Sequence, residues 1–310
     1  MGGHPWVYEG EVTGLSGPVS DGQLVDVISR RGSWLGCGFF NSRSRIRVRV
    51  LSRNPNDRFD QAFWRRIQYA WDYRKTVMGP EDSRCCRVIF GEADGFPGLT
   101  VDRFESVLVA QVLCLGMELI KEELFSLLLE VLRSDGQDVV GVYERNDVAI
   151  RGLEGMEQGK GWHPVGGEKA PDFTAVDIEE NGIRYTVDFE NGQKTGFFLD
   201  QKYNRQAVAK LARGRTVLDC FTHTGSFCPE RRTGRSQARH GGGRVGVRRG
   251  VCQGKRPAQR AFRRDGVRGG QCVRPAAPAG AAAQAVRLHH SGSPGLHQEP
   301  QDHPAGHDRL

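Results

Sequence analysis

Apolar positions come in short β-type runs over the first 55 residues: Trp6–Tyr8, Leu24–Ser29, Trp34–Phe40 and Ile46–Leu51, with Gly, Ser, Asp and Asn between them. That pattern predicts a small β-barrel at residues 1–55. From Asn56 to Met78 the period lengthens. Phe59, Phe63, Ile67, Ala70 and Trp71 recur at three- and four-residue steps, so residues 56–79 read as a connecting helix with one apolar stripe. Asp57 suits its N-cap, Gly79-Pro80 its end, and Trp64 lies off the stripe. Residues 80–185 then read as an α+β middle domain. Its predicted strands are Arg87–Phe90, Leu99–Arg103, Val107–Leu113 and Val139–Tyr143, and its helix runs from Glu118 to Arg133. Residues 156–172 are Gly-rich and polar and read as a loop. Thr174–Glu179 and Ile183–Phe189 form a hairpin across Glu180-Asn181-Gly182. A helix from Gln201 to Ala212, with Asp200 at its cap, leads to an apolar strand, Thr216–Phe221.

The chemistry concentrates around that last strand. It ends in Asp219 and runs into the turn Thr222-His223-Thr224-Gly225-Ser226. A glycine turn after the first strand of an α/β sheet is where a small cofactor sits, because Gly allows positive φ and close backbone approach. One glycine also fits an ordinary strand-to-helix turn, and it falls short of a GxGxxG fingerprint. The block before the helix, Lys194-Thr195-Gly196-Phe197-Phe198-Leu199-Asp200-Gln201, is no amphipathic strand. It places a cation, a glycine, two aromatics and an acid in eight positions. The aromatics suit a core as well as a cofactor wall. In the barrel, Arg43, Arg45, Arg47, Arg49 and Arg53 alternate with Ile46, Val48 and Val50, which puts the arginines on one strand face. Such a row binds phosphates or is simply solvated. The turn Glu92-Ala93-Asp94-Gly95-Phe96-Pro97-Gly98 either touches a ligand or only shapes the chain, and turn-shaping is the simpler account.

KTGFFLDQKYNR followed by VLDCFTHTGSF resembles the class I S-adenosylmethionine-dependent large-subunit rRNA methyltransferases that make 5-methylcytosine. His4-Pro5-Trp6-Val7-Tyr8 and Gly38-Phe39-Phe40-Asn41-Ser42-Arg43-Ser44 resemble that family's N-terminal PUA domain, before whose His-Pro-Trp the family usually has several more residues. Glu92, Asp94, Tyr143 to Asp147 and Arg151 to Gly155 match its middle blocks. The resemblance covers residues 1–227. It implies a PUA-like RNA-binding barrel, a middle domain packed on the catalytic one, and the start of a Rossmann-like α/β methyltransferase domain at 186–227. It implies S-adenosyl-L-methionine as cofactor, lined by Asp219, Phe221, Thr222, Thr224 and Gly225, with Lys194, Thr195, Gly196, Phe197, Asp200 and Gln201 as an adjacent wall. It implies large-subunit rRNA as partner, met by His4, Trp6, Arg43, Arg45 and Arg47. In the family a cysteine thiolate attacks C6 of cytosine before the methyl reaches C5. That cysteine follows an Asp-Pro-Pro strand that this frame does not reach, so no catalytic nucleophile is assigned, and Cys220 reads as a core thiol.

Composition sharpens this picture in one place. The formal net charge is +7, but residues 228–310 hold 16 of the 44 Lys+Arg and 5 of the 37 Asp+Glu. Residues 1–227 are therefore slightly acidic, and net charge says little about their partners. Eight cysteines occur without a C-x-x-C pair, which argues against structural zinc or a secreted disulfide framework and for reduced thiols in a cytoplasmic protein without metal. MGGHPW is no signal peptide, and the most apolar run, Val107–Ile120, is too short to span a bilayer.

After Phe227 the character changes. Residues 228–310 contain no Ile, Met, Trp or Tyr, one Phe and three Leu, against 15 Arg and 14 Gly. Such a segment is expected to be disordered, and an arginine-glycine RNA-binding tail is one account of it. A shifted reading frame is another. Codons permitted for Val286–Pro300, read one nucleotide later, spell FDFIILDPPAFTKS. The same shift allows ALNAA from Cys228–Thr233, VDVSEFAV near Gly243 and AKENAQRNG from Cys252–Ala261. Ordered matches in one frame point to a frameshift at Phe227 or Cys228 and to a chain that is inactive as it stands. A non-catalytic RNA-binding fragment is the rival reading. A dehydrogenase is disfavoured, because no GxGxxG follows a strand and Asp219 precedes its turn.

Overall fold

The computed structural model describes residues 4–57, 59–167, 169–211, 217–219, 226–227, 250–252 and 286–290, with backbone alone at 59–61, 217–219, 250–252 and 286–290. The barrel strands are β1 (Trp6–Tyr8), β2 (Val12–Ser16), β3 (Leu24–Ser29), β4 (Trp34–Phe40) and β5 (Ile46–Ser52). Helix α1 (Phe59–Val77) leads to β6 (Cys85–Phe90), β7 (Leu99–Phe104) and β8 (Val107–Val112). Two helices, α2 (Leu115–Leu119) and α3 (Lys121–Ser134), precede β9 (Gly141–Arg145), α4 (Ile150–Leu153) and β10 (Lys160–His163). The hairpin β11 (Ala175–Glu180) and β12 (Ile183–Asp188) is followed by α5 (Lys202–Leu211), β13 (Val217–Asp219), β14 (Gly250–Cys252) and β15 (Val286–His290).

The first sheet runs β1-β5-β4-β3-β15-β2, antiparallel except at β15/β2. The middle sheet runs β10-β9-β8-β7-β6, antiparallel except at β8/β9, where α2 and α3 make the crossover. Alternation along β8 sorts the middle sheet's two faces. Leu108, Ala110 and Val112 join Ile67, Trp71, Leu124 and Leu128 on the side of α1 and α3. Leu24, Cys37, Phe39 and Leu51 of the barrel belong to that same cluster, so barrel and middle sheet share one core. Val107 and Val109 face the other way, onto Ile178 and Val187 of the hairpin and onto Phe189 and Phe197 after it. That second face is what positions the candidate site.

The apolar stripe on α1 is buried as the periodicity requires, with Phe63, Ile67, Ala70 and Trp71 inside and Trp64 exposed. Asn181 and Gly182 take φ of 54° and 77°, the left-handed pair that a two-residue hairpin turn needs. Three expectations are corrected. The loop at 156–172 contains β10, which pairs with β9 from Lys160↔Arg145 to His163↔Val142. The helix expected from Glu118 is two helices meeting at Ile120, because Gly116 must lie flat on Phe39 and the chain then turns. The arginines of β5 do not share an exposed face. Arg43 and Arg45 reach solvent, Arg47 is half-buried in an ion pair with Glu9, and Arg49 is buried. Two strands, β14 and β15, lie in the tail expected to be disordered; its other residues lie outside those described.

Candidate functional site

The loop from Asp188 to Gln201 is built from its carbonyls outward. Arg145, at the end of β9, donates to the carbonyls of Phe189 at 2.7 Å and Gly192 at 2.9 Å while pairing with Asp147 at 2.9 Å. The Asp188 carboxylate accepts from the backbone of Glu190 (3.0 Å) and Asn191 (2.8 Å), which starts the turn. Gly192 and Gly196 are required by close approach. A Cβ on Gly192 would sit 2.3 Å from the Asp188 carbonyl, and Gly196, at φ 121°, would meet Val187 at 2.8 Å. Beneath the turn, Tyr143, Trp162, Phe173 and Phe189 stack edge to face with ring centres 4.9–6.2 Å apart. The Tyr143 hydroxyl is pushed up to about 12 by burial and by Glu190 beside it, so it stays a hydrogen-bond donor.

Within the block expected to form the cofactor wall, side chains point two ways. Thr195 Oγ1 donates to the wholly buried Asp102 at 2.6 Å, and Asp102 also holds Arg87 at 2.8 and 3.1 Å. Phe197 is in the core under the Arg205 guanidinium, 4.5 Å from the ring centre. Arg205 in turn forks onto Glu180 at 2.6 and 2.8 Å, a buried pair that fixes α5 to the hairpin. Lys194, at φ 54°, lies 5.0 Å over the Phe198 ring. Asp200 is exposed and Gln201 half-buried. Thr195, Gly196 and Phe197 thus set the shape of the wall, and Lys194, Asp200 and Gln201 give it side chains that reach solvent. Phe221, Thr222, Thr224 and Gly225 lie outside the described residues, and Asp219 is described by its backbone alone.

The barrel residues singled out for RNA divide in the same manner. His4 is exposed and packs against Trp6 and Tyr8, with ring centres at 4.8 and 6.1 Å. Trp6, however, donates its indole N–H to Glu92 at 2.8 Å and lies under Arg49 at 5.4 Å. Arg49 reaches Glu154 at 3.0 Å, and Glu154 also accepts from Ser44 at 2.6 Å and Asn41 at 3.0 Å. Trp6, Asn41, Ser44 and Arg49 are therefore the seam between barrel and middle sheet. Glu92 serves that seam as well. Asp94 is clamped by Arg74 at 2.7 and 2.8 Å and accepts from Phe90 N at 2.6 Å, so this turn is structural.

Among the described residues no group of three or more His, Cys, Asp or Glu could hold a metal, and no helix is long and apolar enough to cross a membrane. Burial pushes the thiols of Cys37 and Cys114 up to about 11 and those of Cys85 and Cys86 to about 12, so none of these four is a thiolate nucleophile at neutral pH. Asp102, Arg145 and Glu154, which anchor the site and the seam, had no motif as individuals. The one signal for Asp102 was an acid inside an apolar strand, between Val101 and Arg103-Phe104.

Residues 2–53 match the model of a PUA-like domain, and residues 165–265 that of an S-adenosylmethionine-dependent methyltransferase. The chain is 40% identical over 225 residues to ribosomal RNA large subunit methyltransferase I of Cronobacter sakazakii, covering 72% of this chain and 54% of that protein. It is 39% identical over the same length to the enzyme of that name from Escherichia coli K12. The chain thus spans about half the length of the curated relatives it matches. A crystal structure of SMU.776, described as a methyltransferase complexed with SAH, superposes with a TM-score of 0.54 at 20% identity over 73% of this chain and 54% of that one. The fold is a PUA-like domain followed by mixed α/β structure of the kind found in S-adenosylmethionine-dependent methyltransferases.

Proposed function

We propose that this chain derives from an S-adenosylmethionine-dependent methyltransferase that acts in the cytoplasm on large-subunit rRNA, at C5 of a cytosine. The observation that carries the reading is the locked loop at 188–201. Arg145, Asp188 and Asp102 hold it in place while Lys194, Asp200 and Gln201 face outward. These groups suit the amino-acid end of S-adenosylmethionine, a cation for its carboxylate and an acid for its ammonium. When bound, that cofactor supplies the methyl group; this chain's residues bind and orient it. Asp219, Phe221, Thr222, Thr224 and Gly225 complete the site in this proposal, and His4, Arg43 and Arg45 are the barrel groups free to meet RNA.

We further propose that the coding register changes at Phe227 or Cys228 and that the chain as it stands transfers no methyl groups. Among the described residues β13 pairs only with β14, antiparallel, whereas the proposed domain needs parallel neighbours. The test uses two proteins, the present chain and one with the shifted register restored. Both are titrated with S-adenosylmethionine by calorimetry and assayed for methylation of large-subunit rRNA. The restored protein should bind and methylate, and Gly225→Val in it should abolish cofactor binding and spare RNA binding. Methylation by the present chain would refute the register proposal. No cofactor binding by the restored protein would refute the methyltransferase reading and leave the RNA-binding fragment.

A further inference from the structure

Three large aromatic side chains stand exposed on α1 and at the end of β6. Tyr69 and Tyr73 are one turn apart on α1, 64% and 59% exposed, and Phe90 ends β6 at 56%. None is needed for the core. Polar neighbours, among them Arg65, Asp72 and Thr76, break the surface around the tyrosines, so it is no continuous apolar patch of the kind that joins protein subunits. Instead, the Arg74 guanidinium lies 5.4 Å from the Tyr73 ring centre and that of Arg87 5.2 Å from Phe90. Asp102, the acid that pairs with Arg87, lies beneath it, 1% exposed against 37% for Arg87. Arg74 and Asp94 are both largely buried, at 8% and 13%. What Arg87 and Phe90 offer outward is therefore cation and ring, which complements a chain of phosphates and bases.

The same residues tie this surface to the candidate cofactor wall. Arg74 donates to the Arg87 carbonyl at 2.8 Å, which joins α1 to β6. Arg87 grips Asp102, and Asp102 takes the Thr195 hydroxyl. Platform and wall are thus one bonded unit, with β6 between α1 and the turn at Leu199–Gln201. Resting on the methyltransferase reading above, we propose that Tyr73 and Phe90, with Tyr69 beside them, are a stacking platform for unpaired bases of the RNA substrate, leading the strand toward the cofactor wall. Every base has a π-face, so such a platform holds single strands with little regard to sequence. It ignores a duplex, whose bases are already stacked.

The test is fluorescence anisotropy of the full chain with a short labelled single-stranded RNA and with the same sequence as a duplex. Tyr73→Ala with Phe90→Ala should weaken single-strand binding by about tenfold or more, the range of base–aromatic stacking. Duplex binding should not change, and neither should the slope of log affinity against log salt, because no phosphate contact is lost. Phe90→Trp and Tyr73→Phe should bind as the parent does, and matching thermal midpoints establish that all variants fold. Unchanged single-strand affinity in the double variant overturns the platform while the methyltransferase reading stands, because cofactor titration tests that separately. Equal losses on single strand and duplex overturn stacking as the mode. Loss of self-association rather than of RNA binding assigns the rings to a second copy of the chain. No RNA binding by the parent chain overturns the platform and leaves the methyltransferase reading to the cofactor titration.

Discussion

At the scale of single residues, one carboxylate governs how the barrel meets the rest. Glu154 is 4% exposed and is surrounded by the Arg49 guanidinium, the Ser44 hydroxyl and the Asn41 amide. Its neighbour Gly155 is closely approached on the barrel side, where a Cβ would lie 2.6 Å from Arg43 Cδ. Removing one member of a buried ion pair leaves the other charge desolvated and unpaired, at a cost of about 3–5 kcal/mol. Glu154→Ala should therefore lower unfolding stability by about that amount, discounted toward the lower end because Glu92 still stands 3.5 Å from Arg49. Urea denaturation followed by tryptophan fluorescence measures it. The double change Arg49→Met with Glu154→Leu should recover most of the loss, since no charge remains buried; no recovery would mean that the polar contacts of Asn41 and Ser44 hold the seam. The Asn-Ser-Arg-Ser run that sequence suggested for RNA contact is used largely here, leaving Arg43, with Arg45 just after the run, as solvent-facing cations.

At the scale of elements, the fit of α2 against β4 decides the domain arrangement. Gly116 presents its backbone to Phe39, and an added Cβ would lie 2.0 Å from the ring. Gly116→Val should force α2 off the barrel and destabilise the protein by about 1–3 kcal/mol, as overpacking does. Thermal unfolding checks this, with Gly79→Ala as control because nothing lies within 4 Å of that position. A midpoint unchanged by Gly116→Val would mean that the helix slides without cost. The same contact explains what sequence could and could not reveal. Strong local periodicities, the stripe on α1 and the Asn-Gly hairpin, are readable because they depend on neighbours three or four residues away or on one turn. The break at Ile120 depends on a ring some eighty residues upstream, and β10 forms because β9 offers an edge to a Gly-rich segment that has little strand propensity itself. Alternation put Arg49 on a face but could not say that the face would be covered. The candidate wall was legible as a motif, KTGFFLDQ. Its anchor Asp102 was not, because a buried ion pair leaves no periodic trace, and Arg145 showed only as part of the Tyr143–Asp147 block, without the carbonyls it holds.

At the scale of the molecule, the shared core predicts how the protein fails. Barrel residues Leu24, Cys37, Phe39 and Leu51 pack in the same cluster as α1, α3 and the middle sheet, so barrel and middle domain should unfold together in one transition. Its pH dependence follows from carboxylates spread over both parts. The Ser52 hydroxyl, with Arg66 and Arg65, holds Asp57 below the usual carboxylate range against the cost of burial. Burial would raise Glu144, but hydrogen bonds from His163 and Lys121 outweigh it and hold this group low too. Asp135 and Asp147 are lowered in the same way, against burial, by Lys75 with Trp71 and by Arg145. A carboxylate whose folded pKa lies below its unfolded value binds fewer protons in the native state. Its stabilisation is complete above the ordinary values of 3.8 for Asp and 4.5 for Glu and is lost as pH falls through the folded values. Unfolding free energy should therefore be flat on this account from neutral pH down to the mid-carboxylate range and fall steeply below it. Glu144→Gln should make that acid limb shallower while leaving the neutral-pH transition single. Urea unfolding at stepped pH, read both by tryptophan fluorescence and by far-ultraviolet circular dichroism, tests both parts. Two separated transitions would show that the seam at Glu154 and Gly116 does not couple the domains. Stability that rises toward acid would mean that these carboxylates are strained by burial rather than held by their partners.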